Sequence, residues 1–182
     1  MSRINSVDAF IQTLFQGDAR RVFAILDGAI VDDLPARLAS SGLPHECLFP
    51  GDLDPELAAV MPYLVELESS AQLVREALSR GWKEHWGIYG YVPESVTFLD
   101  LRQHFRPFLK VQGPMGQFMF FRYYDPRVLR HTLPTFDEAQ MSAFFGPAQA
   151  LWLESGAGAE IMHYSRETAS APRVLKYETG GG

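Results

Sequence analysis

Cysteine is nearly absent from this chain, in which Cys47 is the single example among 182 residues. One cysteine excludes an intrachain disulfide and a cysteine-based zinc site, and it favours a reducing compartment. The sequence also lacks any run of ~18 consecutive apolar residues and any N-terminal apolar region typical of a signal peptide. We therefore expect a cytoplasmic protein that is not inserted in a membrane.

Positive charge is also in short supply. The chain has 16 basic and 22 acidic side chains, which gives a formal net charge of -6 at pH 7. A phosphate backbone is repelled by such a chain unless its arginines cluster strongly, so we expect no nucleic-acid partner. With 47% hydrophobic and 21% charged residues, the composition is that of a globular protein, and the length predicts a single domain over residues 1–182.

Familiar signatures of catalysis and cofactor binding are missing. No phosphate-binding Gly-x-x-x-x-Gly-Lys run, no dinucleotide fingerprint and no Gly-x-Ser-x-Gly motif occurs. The histidines are spread singly, without the spacing of metal ligands, at His45, His85, His104, His131 and His163. The sequence therefore predicts no cofactor and no metal, and it favours a protein that binds over one that catalyses.

Strand-like and helix-like segments alternate along the chain. Residues 21–26 form a nearly continuous apolar run, typical of a buried strand, and residues 6–16 carry apolar side chains at helical spacing. A helix over residues 70–80 is expected to stop at Gly81. Further strands are expected at residues 46–49, 63–67, 86–92, 150–154 and 160–164, and further helices at residues 33–39, 55–61, 93–108 and 136–145.

This alternation predicts an α/β domain. Its mixed, largely alternating strand–helix sheet would be flanked by helices, with room for a small C-terminal lobe. Residues 109–111 and 117–123 predict a hairpin, because a Gly-Pro-Met-Gly turn at residues 113–116 joins them.

The most informative stretch is residues 121–129, where two arginines, a carboxylate and two tyrosines follow the hairpin. Asp125 followed by Pro126 predicts a helix cap and a proline at the first helical position. With Arg122, Tyr124 and Arg127 beside it, this junction suits two roles: a bidentate Arg–Asp pair that locks the fold, or a grip on a peptide. We favour the lock, because Arg–Asp pairs at proline turns are usually structural.

Two other features allow both a functional and a structural interpretation. Asp27 ends a predicted strand, where doubly wound folds often place a functional carboxylate, but this position alone is weak evidence. Trp82, Trp86, Tyr89 and Tyr91 form an aromatic group that could line a pocket. Such residues at strand ends more often close a core, and we favour that interpretation.

Several segments resemble, in the same order, the bacterial type VI secretion effector adaptor family. The similar segments span about residues 20–145 and are residues 24–29, 47–49, 62–65, 81–82 with 86–88, 101–105, and 121–129 with 133–134. The resemblance implies a cytoplasmic, non-enzymatic chaperone that binds a secreted effector toxin and delivers it to the spike tip protein. It implies that the following residues determine the fold or the binding face: Asp27, Tyr63, Trp86, Arg102, Arg122, Asp125 and Arg127.

The chain departs from that family in two places. Pro107 stands where the family more often stays helical, so we expect that helix to end early. Only a short extension over residues 146–178 and a tail at residues 179–182, expected to be flexible, follow the shared region, whereas many members continue further.

The binding hypothesis places an apolar or helical part of the effector in a groove beside the sheet. Tyr124 and Arg127 would rim it on one side and the loop from Trp82 to Trp86 on the other. The main alternative is a small α/β enzyme that uses Asp27, Arg122 and Asp125 on a phosphorylated or carboxylated metabolite. A third possibility is an architectural subunit with a self-complementary apolar face.

Overall fold

The computed structural model describes residues 3–113, 115–156, 159–166 and 172–178. These residues form an eight-stranded sheet and a separate two-stranded hairpin. The strands are β1 (Arg3–Ile4), β2 (Arg20–Asp27), β3 (His45–Cys47), β4 (Pro62–Glu66), β5 (Gly87–Pro93), β6 (Lys110–Gln112), β7 (Phe118–Phe120), β8 (Ala150–Glu154), β9 (Glu160–Ser165) and β10 (Arg173–Tyr177). The tail at residues 179–182 lies outside the described residues.

The main sheet is mixed. Its strand order is β1-β10-β9-β8-β5-β2-β4-β3, and β1 runs parallel to β10 while the other neighbouring strands of this sheet pair antiparallel. The helices are α1 (Val7–Phe15), α2 (Leu34–Ser41), α3 (Pro55–Ala59), α4 (Gln72–Leu78), α5 (Arg80–Lys83), α6 (Phe98–Phe105), α7 (Pro126–Thr132) and α8 (Glu138–Phe145). A mixed sheet accompanied by helices confirms the predicted α/β class.

Two apolar cores lie on opposite faces of the sheet. Helices α1, α2, α4 and α5 supply side chains to one core, and α6, α7 and α8 supply the other. Strand β2 serves both, because Val22, Ala24 and Leu26 belong to the first core while Phe23 and Ile25 belong to the second. A strand buried on both faces has an unbroken apolar sequence, which is why residues 21–26 predicted it correctly.

The C-terminal extension is part of the main sheet. Strands β8, β9 and β10 lie between β5 and β1, so this part of the chain does not form the small separate lobe for which the sequence left room. Strand β8 pairs directly with β5 through Tyr89 and Trp152. The sheet would therefore end at β5 without these residues.

The predicted helix at residues 93–108 is shorter than expected. Pro93 belongs to β5, and α6 begins after Thr97, whose side chain forms a reciprocal capping box with Asp100. The helix ends at Phe105, and residues 106–109 form a 3₁₀ turn that contains Pro107. The expected early end of the helix beside Pro107 is confirmed.

The prediction that Gly81 stops a helix is wrong. Helix α4 ends at Leu78, and Gly81 lies inside the short helix α5. A β-carbon at Gly81 would come within 2.4 Å of the Trp86 ring. The glycine is therefore explained by the close packing of this indole ring and not by a helix terminus.

The predicted hairpin is confirmed, although its second strand ends at Phe120 and not at residue 123. Strands β6 and β7 pair antiparallel, with Lys110 opposite Phe120 and Gln112 opposite Phe118, and they form a sheet of their own.

Within the described ranges, no helix combines the length and the apolar character needed to cross a membrane.

Candidate functional site

The junction after β7 begins with a capped helix. The Asp125 carboxylate accepts a hydrogen bond from the backbone N–H of Arg127 at 2.9 Å, and Pro126 occupies the first turn of α7. This geometry confirms the cap predicted from Asp125 and Pro126, because a proline at that position loses no intrahelical hydrogen bond. The helix therefore starts at a fixed point directly behind the hairpin.

Arg127 holds the same carboxylate in a bidentate pair. Its Nε donates to Oδ1 of Asp125 at 2.9 Å, and its Nη2 donates to Oδ2 at 2.8 Å. Asp125 is buried, whereas the Arg127 side chain is 42% exposed. Burial opposes ionisation of Asp125, but the hydrogen bonds and charge of Arg127, with a smaller contribution from Arg122, outweigh it and lower its pKa.

Arg122 joins the end of β2 to the base of the hairpin. Its Nη2 donates to Oδ2 of Asp27 at 2.6 Å and lies 3.7 Å from the Asp125 carboxylate. Asp27 is fully buried, and its other oxygen accepts the backbone N–H of Ala29 at 2.9 Å. The hydrogen bond to Asp27 raises the pKa of Arg122. Two carboxylates and two guanidinium groups thus form one network, here called the junction network: Asp27, Arg122, Asp125 and Arg127.

The two tyrosines of the junction anchor it in the core. Tyr123 is fully buried, and its hydroxyl donates to the carbonyl of Phe105 at 2.9 Å. Tyr124 is also buried, and burial, followed by the negative charge of Asp27, raises its pKa to about 12. Both phenols are therefore neutral at physiological pH. Because both side chains are buried, the hairpin is held to the rest of the domain by packing as well as by ion pairs.

The junction network favours a structural role for these residues over direct binding of a peptide. Both carboxylates are buried and already paired with arginines, so neither is presented as a free base or as a free acceptor for a ligand. The enzyme hypothesis required Asp27, Arg122 and Asp125 to converge in an enclosed polar pocket. They do converge, but on one another.

The other predicted site residues lie apart from the junction network. Tyr63 is buried in β4, where its hydroxyl donates to the carbonyl of Ala58 at 3.1 Å. Arg102 lies on α6 and forms an ion pair with Glu46 at 2.8 Å. These contacts connect neighbouring elements of the fold.

The groove expected between Tyr124 and the tryptophan loop does not form. Trp82 and Trp86 are buried in the core on one face of the sheet, while Tyr124 is buried in the core on the opposite face. Trp82 also packs against Tyr89, with ring centroids 5.6 Å apart. The sheet separates the two proposed rims, and the core interpretation of this aromatic group is correct.

The structure reveals an apolar surface that the sequence analysis did not identify. Met115 is 88% exposed and Phe118 is 78% exposed, and Met119 and Phe120 on the same hairpin are also exposed. We call these four residues the hairpin patch. Exposed apolar residues scattered singly are ordinary, whereas four on one short hairpin form a candidate interaction surface.

A concave surface adjoins the hairpin patch. We call it the hairpin cleft: a cavity of about 410 Å³ lined by Phe49, Pro50, Arg106, Pro107, Leu109 and Lys110. A second hollow of about 300 Å³ on the hairpin shares Lys110 and is lined also by residues 118–120. The Phe49 and Phe120 rings, 6.2 Å apart, connect the two surfaces.

Two features of the sequence could have predicted the hairpin patch. Residues 101–124 contain no aspartate or glutamate, although acids outnumber bases in the chain as a whole. Apolar residues also follow one another at 118–121, whereas a strand with one solvated face should alternate. A metal does not explain this surface, because within the described ranges no group of three or more His, Cys, Asp or Glu side chains could hold one.

Comparison with known families gives one match. Residues 22–143 match the family described as Domain of unknown function (DUF4123). No curated protein and no solved structure matches the chain. The matched segment covers most of the residues from β2 to α8 and therefore includes the junction network and the hairpin.

Proposed function

We propose that this chain, which belongs to the family described as Domain of unknown function (DUF4123), is a non-enzymatic adaptor of a bacterial type VI secretion system. In this proposal it works in the cytoplasm, binds a cognate effector toxin, keeps it soluble and helps to load it onto the spike tip protein. The observation that carries the proposal is the hairpin patch, which presents four apolar side chains of one hairpin to solvent.

The hairpin patch has the physical properties that a chaperone of this kind needs. Covering apolar surface contributes ~25 cal/mol per Å², and binding energy concentrates at a few aromatic anchors. Phe118 and Phe120 lie two residues apart on β7 and so point to the same face of the hairpin. An apolar segment of an effector would gain a protected environment by packing on this face.

The junction network supports this role indirectly. It ties the residue that follows the hairpin, Arg122, to the buried end of β2 through Asp27. A binding surface that is held in place before the partner arrives loses less conformational entropy on binding. The residues that resemble the adaptor family would then position the binding surface, and the hairpin patch would make the contact.

The test is co-expression with an effector encoded beside this gene. With the unaltered chain we expect soluble effector that co-purifies with it. The double variant Phe118→Ser with Phe120→Ser should lose both properties while keeping its melting temperature, because these side chains are exposed in the free protein. Leu99→Ser is the matched control, since Leu99 is a 51% exposed apolar side chain outside the hairpin.

Two results would contradict the proposal. An effector that stays soluble and is secreted in the absence of this chain needs no adaptor. An effector that co-purifies equally well with the serine double variant does not use the hairpin patch.

A further inference from the structure

Four of the six residues that line the hairpin cleft belong to residues 101–124, a segment without aspartate or glutamate. Residues 101–124 hold four basic side chains, Arg102, Arg106, Lys110 and Arg122, in a chain whose formal net charge is -6. The remainder of the chain therefore holds all 22 acidic residues and only 12 of the 16 basic ones. A local reversal of charge sign on an exposed surface selects partners by electrostatic complementarity.

Two of these four cations are available to a partner. Arg102 is paired with Glu46 and Arg122 with Asp27. By contrast, Arg106 and Lys110 line the hairpin cleft, and across the described part of the chain neither has a carboxylate within salt-bridge distance. The cleft thus combines apolar walls with two cations that lack an acidic partner.

The positions of these cations relative to the apolar side chains are defined. Lys110 lies opposite Phe120 in the hairpin register, and its ammonium nitrogen lies 6.0 Å from the centre of the Phe49 ring. Arg106 donates through Nη2 to the carbonyl of Phe49 at 3.3 Å. Both cations therefore border the place where the rings of Phe49 and Phe120 meet.

We propose that the hairpin cleft binds a protein segment in which apolar side chains stand next to aspartate or glutamate. This inference rests on the proposed adaptor function and specifies the chemistry of the partner segment. An apolar side chain of that segment occupies the cleft beside Phe49 and Pro107, and its neighbouring carboxylates pair with Lys110 and Arg106.

Other occupants fit the surface less well. In a symmetric dimer through the hairpin, each patch would meet its own copy, and the unpaired cations of two clefts would face each other. An anionic membrane would satisfy the cations. The concave cleft between Phe49 and the hairpin, however, suits single side chains better than a flat lipid surface. A protein segment with acids satisfies both the shape and the charge.

The test uses two fluorescein-labelled peptides of equal length and identical leucine and phenylalanine positions. One carries glutamate at every other position, and its counterpart carries lysine there. By fluorescence anisotropy with the full chain, we expect the glutamate peptide to bind about tenfold more tightly or better, with an affinity that falls as salt is added. Phe118→Ser should weaken its binding about tenfold or more, as for an aromatic anchor.

Charge reversal in the cleft supplies the decisive comparison. Lys110→Glu should remove the preference for the glutamate peptide, whereas Lys83→Glu, at an exposed lysine on α5, should leave it unchanged. Equal binding of both peptides to the unaltered chain would overturn the acid preference. Failure of both peptides to bind would overturn the inference, and the effector co-expression result would still decide the adaptor function on its own.

Vesicles made of equal parts phosphatidylcholine and phosphatidylserine form the last arm of the test. We expect no co-sedimentation that depends on Phe118. Sedimentation that is lost on Phe118→Ser, without binding of the glutamate peptide, would assign the surface to a membrane instead.

Discussion

Asp125 uses one carboxylate to start a helix and to hold an arginine. Its Oδ1 accepts both the backbone N–H and the Nε of Arg127, and its Oδ2 accepts Nη2. A buried carboxylate loses its hydration on folding, so these hydrogen bonds must replace water. The guanidinium group is nevertheless partly exposed, which limits how much the pair contributes to stability.

We predict that Arg127→Ala lowers the free energy of unfolding by about 1–2 kcal/mol, because it leaves the buried Asp125 carboxylate with fewer donors. This is less than the ~3–5 kcal/mol expected when a fully buried pair is broken, since solvent screens the exposed guanidinium. Chemical denaturation at neutral pH measures the effect. The control is Arg75→Ala, which breaks an exposed ion pair with Asp8. Exposed ion pairs contribute roughly 0–1 kcal/mol, so we expect this variant to lose less than about 1 kcal/mol of stability.

The pH dependence identifies the cause of this loss. The pKa of Asp125 is lower in the folded chain than its ordinary value, so its ionisation stabilises the fold above the unfolded pKa of ~3.9. That contribution is lost as the pH falls through the folded pKa. The difference between the unaltered chain and Arg127→Ala should therefore shrink below about pH 4. A constant difference across this range would show that Arg127 acts through packing alone.

Local signals predicted much of the junction and missed its long-range contacts. The cap at Asp125 and the proline after it are neighbours in sequence, so their geometry could be predicted. The partner of Arg122 is Asp27, 95 residues away, and no local pattern specifies such a pair. The exposure of Phe118 was missed for a related reason: an apolar strand predicts burial, and the absence of a covering element depends on the whole fold.

The connection from α8 to β8 depends on one glycine. Gly146 ends α8 with φ 50° and ψ -115°, and a β-carbon there would lie 2.2 Å from Cε1 of His104. The same imidazole is hydrogen-bonded through Nε2 to the carbonyl of Phe144 at 2.8 Å. The end of α8 and the His104 side chain of α6 are therefore packed too closely for any side chain at residue 146.

We predict that Gly146→Ala destabilises the chain by about 2–4 kcal/mol, from the strained backbone together with displacement of His104. Thermal unfolding followed by circular dichroism measures the change. Gly42→Ala is the matched control, because Gly42 has φ 71° but nothing within 4 Å of an added β-carbon. It should cost only the backbone strain of about 1–2 kcal/mol. Equal losses in the two variants would show that the contact with His104 relaxes freely.

Strand order is the part of the architecture that sequence patterns could not supply. Strands β2 and β5 are neighbours although four helices and strands β3 and β4 lie between them in the chain. Strand β8 then joins β5 from the C-terminal extension. Periodicity indicates where strands lie, but pairing is decided by which apolar faces complete the two cores. The sequence therefore allowed a separate C-terminal lobe, whereas the structure places the extension inside the main sheet.

A chain that stops at residue 146, close to the end of the family match, should not fold cooperatively. It retains the whole matched segment but leaves β5 without its neighbour β8. It also removes buried side chains from both cores, namely Leu151, Trp152, Leu153, Ile161, Tyr164, Leu175 and Tyr177. Each such residue contributes ~1.5–3 kcal/mol, so the seven together contribute ~10–20 kcal/mol, which is comparable with or larger than the total stability of a typical domain, ~5–15 kcal/mol.

A second variant, from which fewer residues are removed, separates the effect of losing strand β8 from a general effect of chain length. A chain that stops at residue 166 keeps β8 and β9 but lacks β10, and with it the hydrogen bond from the Tyr177 hydroxyl to the carbonyl of Leu78. We expect this chain to fold with a lower melting temperature, while the chain ending at residue 146 shows no cooperative transition by near-ultraviolet circular dichroism. A cooperative transition of the shorter chain near the melting temperature of the full chain would mean that residues 22–143 form an independent unit and that β8, β9 and β10 merely add to it.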